Sequence, residues 1–161
     1  MTAPAFIREA IPDDSTAILE CLREAFEPYR SAYTPGAFTD TVLTPASIAR
    51  RFTEMTILVA TAPDASVIGT VAVSSSHNEG HLRGMAVRDS WHGRGIARQL
   101  LASAESLLHR RSCRRVTLDT TEPLTRAIAF YKKHGYAPTG HVQDFYGMPL
   151  FEFAKDLGLD R

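Results

Sequence analysis

Two hydrophobic periods alternate along the chain. Stripes with a 3.6-residue period, typical of helices with one buried face, run from Ile18 to Phe26 and again from Ile96 to Leu108. Shorter apolar runs bounded by turn residues are typical of strands. They predict strands at residues 6–9, 57–61, 67–74, 81–87, 116–120, 136–142 and 150–155.

The order of these elements predicts one α/β domain over residues 1–161. We expect a mixed central sheet of about six to seven strands, flanked by about four helices near residues 12–26, 45–55, 96–108 and 123–134. Helix start signals, such as the Thr44-Pro45 pair, support these assignments. Residues 28–43 show no clear period and are predicted to be irregular.

Composition narrows the classes of partner. The chain has 18 basic and 18 acidic side chains, so it lacks the positive charge of a dedicated nucleic-acid binder. No apolar run is long enough for a membrane helix, and the N-terminal MTAPAFIREA lacks the pattern of a signal peptide. We therefore expect a cytoplasmic protein with neither a nucleic acid nor a membrane as partner.

Cysteine and histidine spacing predicts neither a disulfide framework nor a metal site. Cys21 falls on a helical stripe and is expected in the core, whereas Cys113 lies among arginines and is expected to be exposed. His77 and His81 are four residues apart, but Gly80 between them disfavours the helix that a zinc pair of this spacing requires.

A glycine-rich turn is the most informative segment. A predicted strand ends at Met85-Ala86-Val87, and His92-Gly93-Arg94-Gly95-Ile96-Ala97 leads into the long helix. Such a turn exposes backbone N–H groups at a helix N-terminus, which is an anion site without any lysine. The dinucleotide fingerprint does not fit, because Arg98 stands at its third glycine, and the Walker loop is absent.

This turn resembles the Q/R-x-x-G-x-G/A signature of the GCN5-related N-acetyltransferases (the GNAT family). His92 departs from the usual Gln or Arg, and Ala97 is an accepted choice at the sixth position. In that family the turn holds the pyrophosphate of acetyl-CoA, and the preceding strand binds the pantetheine arm. The resemblance therefore implies that acetyl-CoA contacts Met85, Ala86, Val87, His92, Gly93, Arg94, Gly95, Ile96 and Ala97.

A second segment, residues 124–136, resembles the family's N-x-x-A-x-x-x-Y-x-x-x-G-F/Y motif. Leu124, Ala127 and Tyr131 lie on one helix face at i, i+3 and i+7. Leu124 replaces the usual Asn, which removes a hydrogen bond from that position. The resemblance implies that these three residues contact acetyl-CoA and that Tyr131 protonates or hydrogen-bonds the departing thiolate.

The general base has three candidates. By resemblance, a base would lie on the strand that runs toward the glycine turn, where this chain has His81, with Glu79 two residues earlier. Imidazole, which titrates near pKa ~6.5 in free solution, suits proton removal at neutral pH. Regular alternation would place residues 79, 81, 83, 85 and 87 on one face, but a bulge at Gly84 would break the count. Ordered water is the third candidate.

The acceptor site is predicted from the family's usual arrangement of the first two helices, their connection and the last strands. It would include Tyr29, Arg30, Tyr33 and Phe38, together with Asp144, Phe145 and Tyr146. The aromatic residues and the arginine suit a small, partly apolar amine that bears a carboxylate. The alternatives are a protein or peptide amine, and a regulatory module that binds acyl-CoA without chemistry. A homodimer is a family-level expectation only.

Overall fold

The computed structural model describes residues 5–158 and places seven strands in one mixed sheet, in the order β1-β2-β3-β4-β5-β7-β6. The strands are β1 (Phe6–Glu9), β2 (Thr56–Thr61), β3 (Val67–Ser76), β4 (Glu79–Val87), β5 (Arg115–Thr121), β6 (Ala137–Phe145) and β7 (Met148–Asp156). The helices are α1 (Ser15–Phe26), α2 (Pro35–Val42), α3 (Pro45–Glu54), α4 (Ile96–Arg110) and α5 (Thr125–Lys133).

Neighbouring strands are antiparallel except for β4 and β5, which are parallel and joined through the crossover helix α4. Two apolar layers cover the two sides of the sheet. On one side, α4 packs Ile96, Leu100 and Leu108 against the central strands. On the other, Ile18 and Leu22 of α1 pack with Ile48 of α3. A central strand that is covered on both faces needs apolar residues at consecutive positions, and residues 57–60 of β2 are all apolar and buried.

The predicted α/β class, the seven strands and the four predicted helices are confirmed, with boundary shifts of a few residues. The irregular stretch expected at residues 28–43 is wrong, because it contains a short 3₁₀ helix (Glu27–Ala32) and α2. Thr34 caps α2 by accepting a hydrogen bond from the Ala37 N–H (3.3 Å), with Pro35 at the first helical position. This signal is present in the sequence, but the helix has only eight residues, too few for a visible period.

The expectation that Cys113 is exposed is also wrong. Its backbone N–H donates to the carbonyl of Leu108 (3.0 Å), which folds the chain back over the end of α4 and buries the thiol completely. Cys21 is buried as predicted, and burial raises the pKa of its thiol to about 12, so it stays protonated. Neither cysteine is a nucleophile at neutral pH.

Residues 1–4 and 159–161, the ends of the predicted 1–161 domain, lie outside the described residues. Within residues 5–158, every helix is too short or too polar to cross a bilayer.

Candidate active site

A cleft opens in the middle of the sheet where β4 and β5 separate. Their pairing ends at Leu82 and Leu118, so the rest of β4 pairs with β3 alone. The cleft has a volume of about 1080 Å³, at the upper end for small-molecule sites. Because the open edge of β4 faces it, an extended ligand can meet unpaired backbone groups there as an added strand would.

The first turn of α4 presents uncapped backbone amides to this cleft. No side chain caps the helix at Gly95, and the first amide to find a carbonyl is that of Gln99 (3.0 Å to Gly95). Within the described chain, the N–H groups from Gly93 to Arg98 therefore have no backbone acceptor. Gly93 and Gly95 have φ angles of +76° and +80°, which residues other than glycine rarely adopt. Free amides at a helix N-terminus are able to bind an anion.

His92 has a structural part in this turn. Its Nε2–H donates to the carbonyl of Val87 (2.9 Å), which ties the turn to the end of β4. Arg94 does not line the cleft and stacks on Trp91, with 4.9 Å from its guanidinium carbon to the ring centroid. The other residues implied by the resemblance line the cleft: Met85, Ala86, Val87, His92, Gly93, Gly95, Ile96 and Ala97.

The opposite wall of the cleft is formed by β5 and α5. Leu124 and Ala127, which the resemblance assigns to acetyl-CoA, line this wall, and Tyr131 stands one turn further along the helix. Thr120 contributes a buried hydroxyl that has no hydrogen-bond partner among the described residues. A buried unpaired hydroxyl is costly in a folded protein, so its place in the cleft points to a ligand that supplies the missing partner.

Tyr131 also carries a hydroxyl without a partner in the described chain. Its side chain is buried and packs edge-on against Phe130 and Tyr136, with ring centroids 5.5 and 5.8 Å away. Burial raises the pKa of the Tyr131 phenol above its ordinary value, so the group is neutral and has a proton to donate. In contrast, the hydroxyl of Tyr136 already donates to Glu105 (2.8 Å).

A bulge at Gly84 divides β4 into two halves. Ala72 of β3 pairs with Arg83 and Thr70 pairs with Ala86, so two residues of β4 lie opposite Val71 alone. The bulge therefore breaks the regular alternation: Met85 and Val87 do not share the face of His81. Gly84 has a φ of +66°, as such a bulge requires.

His81 lies on the face that carries α1 and α3, and it lines the cleft. Its Nδ1 is 2.7 Å from the hydroxyl of Thr117, and its Nε2 is 3.4 Å from a carboxylate oxygen of Asp119. Both partners are on β5, because register pairs His81 with Thr117 and alternation adds Asp119 to the same face. Each ring nitrogen thus has a polar neighbour on β5, the Thr117 hydroxyl at Nδ1 and the Asp119 carboxylate at Nε2.

Glu79 is placed differently. Its carboxylate accepts from Arg115 at 2.6 Å, at the outer end of β4, and it does not line the cleft. Geometry therefore favours His81 over Glu79 as the residue that meets a substrate.

Of the four acceptor residues predicted around the first helices, two reach the cleft. Tyr29 and Tyr33 line it, and the Tyr33 hydroxyl is 2.6 Å from that of Thr121. Arg30 and Phe38 lie outside it. Arg30 forms a two-point ion pair with Glu27 (2.7 and 3.0 Å) and covers the ring of Phe38, which is buried between the first helices.

The β6–β7 hairpin borders the acceptor end of the cleft. Its tip is docked on the start of α2, where the Thr34 hydroxyl donates to the carbonyl of Tyr146 (2.8 Å). The Tyr146 ring lies so close to Gly36 that a Cβ there would be 2.7 Å from it. The tip residues Asp144, Phe145 and Tyr146, which the family arrangement assigns to the acceptor site, line the cleft.

Sequence reasoning missed Asp119, Thr120 and Arg51, which all line the cleft. Arg51 falls on the apolar stripe of α3 with Ile48, and a charged residue on such a stripe is a signal that could have been used. Asp119 and Thr120 lie on a buried strand, but only the β4–β5 register shows which site they face. Among the described residues, no cluster of three or more potential metal ligands occurs.

Comparison with known proteins identifies the family. The model of the acetyltransferase (GNAT) family matches residues 16–136, and no curated protein matches the sequence. A GCN5-related N-acetyltransferase of Rhodopseudomonas palustris is similar in structure, with a TM-score of 0.81 and 18% identity over 97% of this chain and 98% of that one.

Two further solved structures share the fold. The PaiA N-acetyltransferase of Thermoplasma acidophilum, in complex with coenzyme A, has a TM-score of 0.79 at 19% identity, covering 95% of this chain and 99% of that one. The ribosomal-protein-S18-alanine N-acetyltransferase of Escherichia coli has a TM-score of 0.77 at 15% identity, covering 98% and 97%. The family model spans most of the chain, and the predicted resemblance is confirmed: this chain belongs to the GNAT family of acetyltransferases, which use acetyl-CoA as acyl donor.

Proposed function

We propose that this enzyme acetylates the amine of a small molecule, which attacks the thioester of acetyl-CoA directly. The observation that carries the choice of a small acceptor is the β6–β7 hairpin, which is docked on the start of α2 through Thr34, Gly36 and Tyr146; we infer that it limits access at the acceptor end of the cleft. A protein or peptide acceptor needs a groove open at both ends. The cleft also has room for a second small ligand beside the donor.

The residues on the donor side fit acetyl-CoA. The uncapped amides from Gly93 to Arg98 suit its pyrophosphate, and the open edge of β4 suits the amide groups of its pantetheine arm. Ala127 leaves space beside that arm, and the unpaired Thr120 hydroxyl offers a hydrogen bond. Several charge-assisted hydrogen bonds at about 1.5–3 kcal/mol each outweigh the helix dipole at ~0.3–1 kcal/mol.

The reaction balances with the groups in the cleft. The lone pair of the neutral amine forms a C–N bond to the acetyl carbon, and the C–S bond breaks to release the CoA thiolate. The amine proton passes to His81, and the Tyr131 hydroxyl donates to the sulfur. Ordering the two substrates supplies up to ~7–11 kcal/mol, whereas each proton transfer supplies about 10²–10⁴-fold, so positioning dominates.

The contacts of His81 suit the role of base. The Thr117 hydroxyl has its own acceptor in the carbonyl of Gly80 (3.4 Å), so it is able to accept from Nδ1–H. In the tautomer that acts as base, Nδ1 carries the hydrogen and Nε2 the lone pair, and the amine proton taken at Nε2 is then shared with Asp119. Asp119 is a positioning residue in this scheme, because it acts through the imidazole.

The acceptor class is tested by mass spectrometry of products from a panel of amino acids, polyamines and short peptides, each incubated with acetyl-CoA and enzyme. We expect acetylated small amines and unmodified peptides. Acetylation of peptides alone would overturn the small-molecule assignment. Binding of acetyl-CoA without any acetylated product would instead favour the regulatory module.

A further inference from the structure

Arg51 is a buried cation without a partner in the described chain. It projects from α3, is only 8% exposed and lines the cleft. The nearby carboxylate of Asp40 is already paired with Arg83 (3.0 Å). Burial, helped by the charge of Arg83, lowers the pKa of Arg51 to about 10, while Asp40 and Glu54 raise it. The guanidinium thus remains charged at neutral pH.

The bulge in β4 makes room for this guanidinium. A Cβ at Gly84 would lie 2.9 Å from Nη1 of Arg51, so the guanidinium occupies space that a side chain at this position would share. The bulge and the arginine therefore fit one another at the point where β4 borders the cleft. Arg30, which the sequence suggested for this purpose, lies outside and is neutralised by Glu27.

A buried charge without a counter-ion is costly to a folded protein. A ligand that places an opposite charge beside the guanidinium offsets this unfavourable free energy. A carboxylate is well matched, because it forms two parallel hydrogen bonds with a guanidinium. We propose that Arg51 binds a carboxylate of the acceptor, so that the substrate class is an amino acid. This inference rests on the proposed acetyl transfer to a small amine.

The position of Arg51 limits how far apart the amine and the carboxylate can be. Gly84 is three residues from His81, or about 10 Å along the strand, and the strands begin to diverge between the two, after Leu82. Both side chains line the cleft, so one small molecule can meet them together, with its carboxylate on Arg51 and its amine at His81. Phe26, Tyr29 and Tyr33 on the same side of the cleft favour an apolar side chain. We therefore expect an apolar amino acid.

The test compares matched acceptors. Rates of CoA release are measured with each apolar amino acid, its carboxamide and the corresponding decarboxylated amine; L-phenylalanine, phenylalaninamide and phenethylamine form one such set. We expect the wild-type kcat/KM to be at least about 10-fold higher for the acid than for the amide. Equal values for the acid and the amide, or acetylation only of the acceptors that lack a carboxylate, would overturn the inference.

Variants then locate the effect. Arg51→Met should lower kcat/KM for the acid about 10²-fold, change the amide little and keep or raise the thermal stability, since it removes an unpaired buried charge. Arg50→Met is the matched control, because Arg50 is exposed on the same helix and outside the cleft; it should change neither rate. An equal loss for acid and amide in Arg51→Met would contradict carboxylate binding.

Calorimetric titration with acetyl-CoA distinguishes failure of the Arg51 proposal from failure of the proposed acetyl transfer. If wild type binds acetyl-CoA and acetylates amines without regard to a carboxylate, only the role of Arg51 fails. If it does not bind acetyl-CoA, the proposed function fails first.

Discussion

Among single residues, Tyr131 and Tyr136 differ in how their hydroxyl groups are used. Both rings are buried side by side, but only Tyr136 uses its hydroxyl within the protein, in the bond to Glu105. A buried hydroxyl that has a partner contributes to stability, whereas one that faces a cleft without a partner is available to a substrate.

We therefore predict opposite effects on activity and stability when the hydroxyl of each tyrosine is removed by substitution with phenylalanine. Tyr131→Phe should lower kcat by roughly 10- to 10³-fold and leave acetyl-CoA affinity and melting temperature near wild type. Tyr136→Phe should keep kcat and lower the stability by about 1 kcal/mol. Steady-state kinetics and thermal unfolding provide both readouts, and a wild-type kcat in Tyr131→Phe would mean that the thiolate leaves without this hydroxyl.

His81 gives the second prediction at this scale. If it removes the amine proton, kcat/KM with an alkylamine acceptor should rise with pH through an acid-side limb that His81→Gln abolishes, with a fall in rate of about 10²-fold. His77→Gln is the control, because His77 is exposed in the β3–β4 turn. If His81→Gln keeps the wild-type profile and rate, the base is water.

At the scale of elements, the glycine turn before α4 is tested by two glycines in the same strained conformation. Gly93 (φ +76°) and Gly140 (φ +89°) both have open space where a Cβ would lie, but only Gly93 is in the cleft. An alanine costs roughly 1–2 kcal/mol of strain at either position. Gly93→Ala should also weaken acetyl-CoA binding about 10-fold or more, since its methyl group obstructs the anion site.

Calorimetric titration of both variants checks this prediction. Gly140→Ala should bind acetyl-CoA like wild type despite a similar loss of stability. Equal affinities in the two variants would remove the turn from the donor site.

The start of α1 offers a prediction about stability and pH. Asp14 accepts two hydrogen bonds from Arg8 (2.8 and 2.9 Å) and one from the Ile11 N–H (2.8 Å). The Arg8 hydrogen bonds, with the Ile11 amide, hold the pKa of Asp14 below its usual value. The pKa is lower in the folded state, so the stabilisation is complete above the unfolded pKa of ~3.9 and is lost as pH falls through the folded value.

Asp14→Asn should therefore destabilise the protein by about 1 kcal/mol at pH 7, a modest value because Arg8 is one-third exposed (34%). The difference from wild type, followed by urea unfolding at several pH values, should shrink as the pH falls below about 4. A difference that is independent of pH would show that the charge of Asp14 is not what stabilises this end of α1.

Local signals explain which elements could be predicted. The long stripe of α4 is predictable because apolar residues recur at the helical period, and the strands are predictable because they are short apolar runs bounded by turn residues. The helix α2 was missed because eight residues, among them Gly36, give too little pattern, although its Thr34-Pro35 start is clear. Cys113 was misplaced because the turn that folds it back onto Leu108 depends on a backbone hydrogen bond that no side-chain pattern records.

At the scale of the whole molecule, the site is assembled from distant parts of the chain. The two motifs and His81 were recognisable in sequence because each is local. Asp119 meets His81 only through the register of β4 and β5, and Arg51 meets the cleft only because α3 packs beside the bulge at Gly84. Homodimer formation, a cytoplasmic location and the absence of a nucleic-acid partner stay predictions.

In the proposed function, the two sides of the cleft meet in one reaction. The donor side carries free amides and the Tyr131 hydroxyl, and the acceptor side carries His81 and the docked β6–β7 hairpin. A protein that only binds acyl-CoA has no use for the second set. We therefore predict that the enzyme consumes acetyl-CoA only when an amine is present.

The most direct measurement is the rate of thiol release from acetyl-CoA with and without the amine panel, combined with the amount of acetylated product. We predict release that saturates with a small amine and yields one acetylated amine per CoA, against a background near zero without amine. Tight binding of acetyl-CoA with thiol release that no amine accelerates would contradict the account.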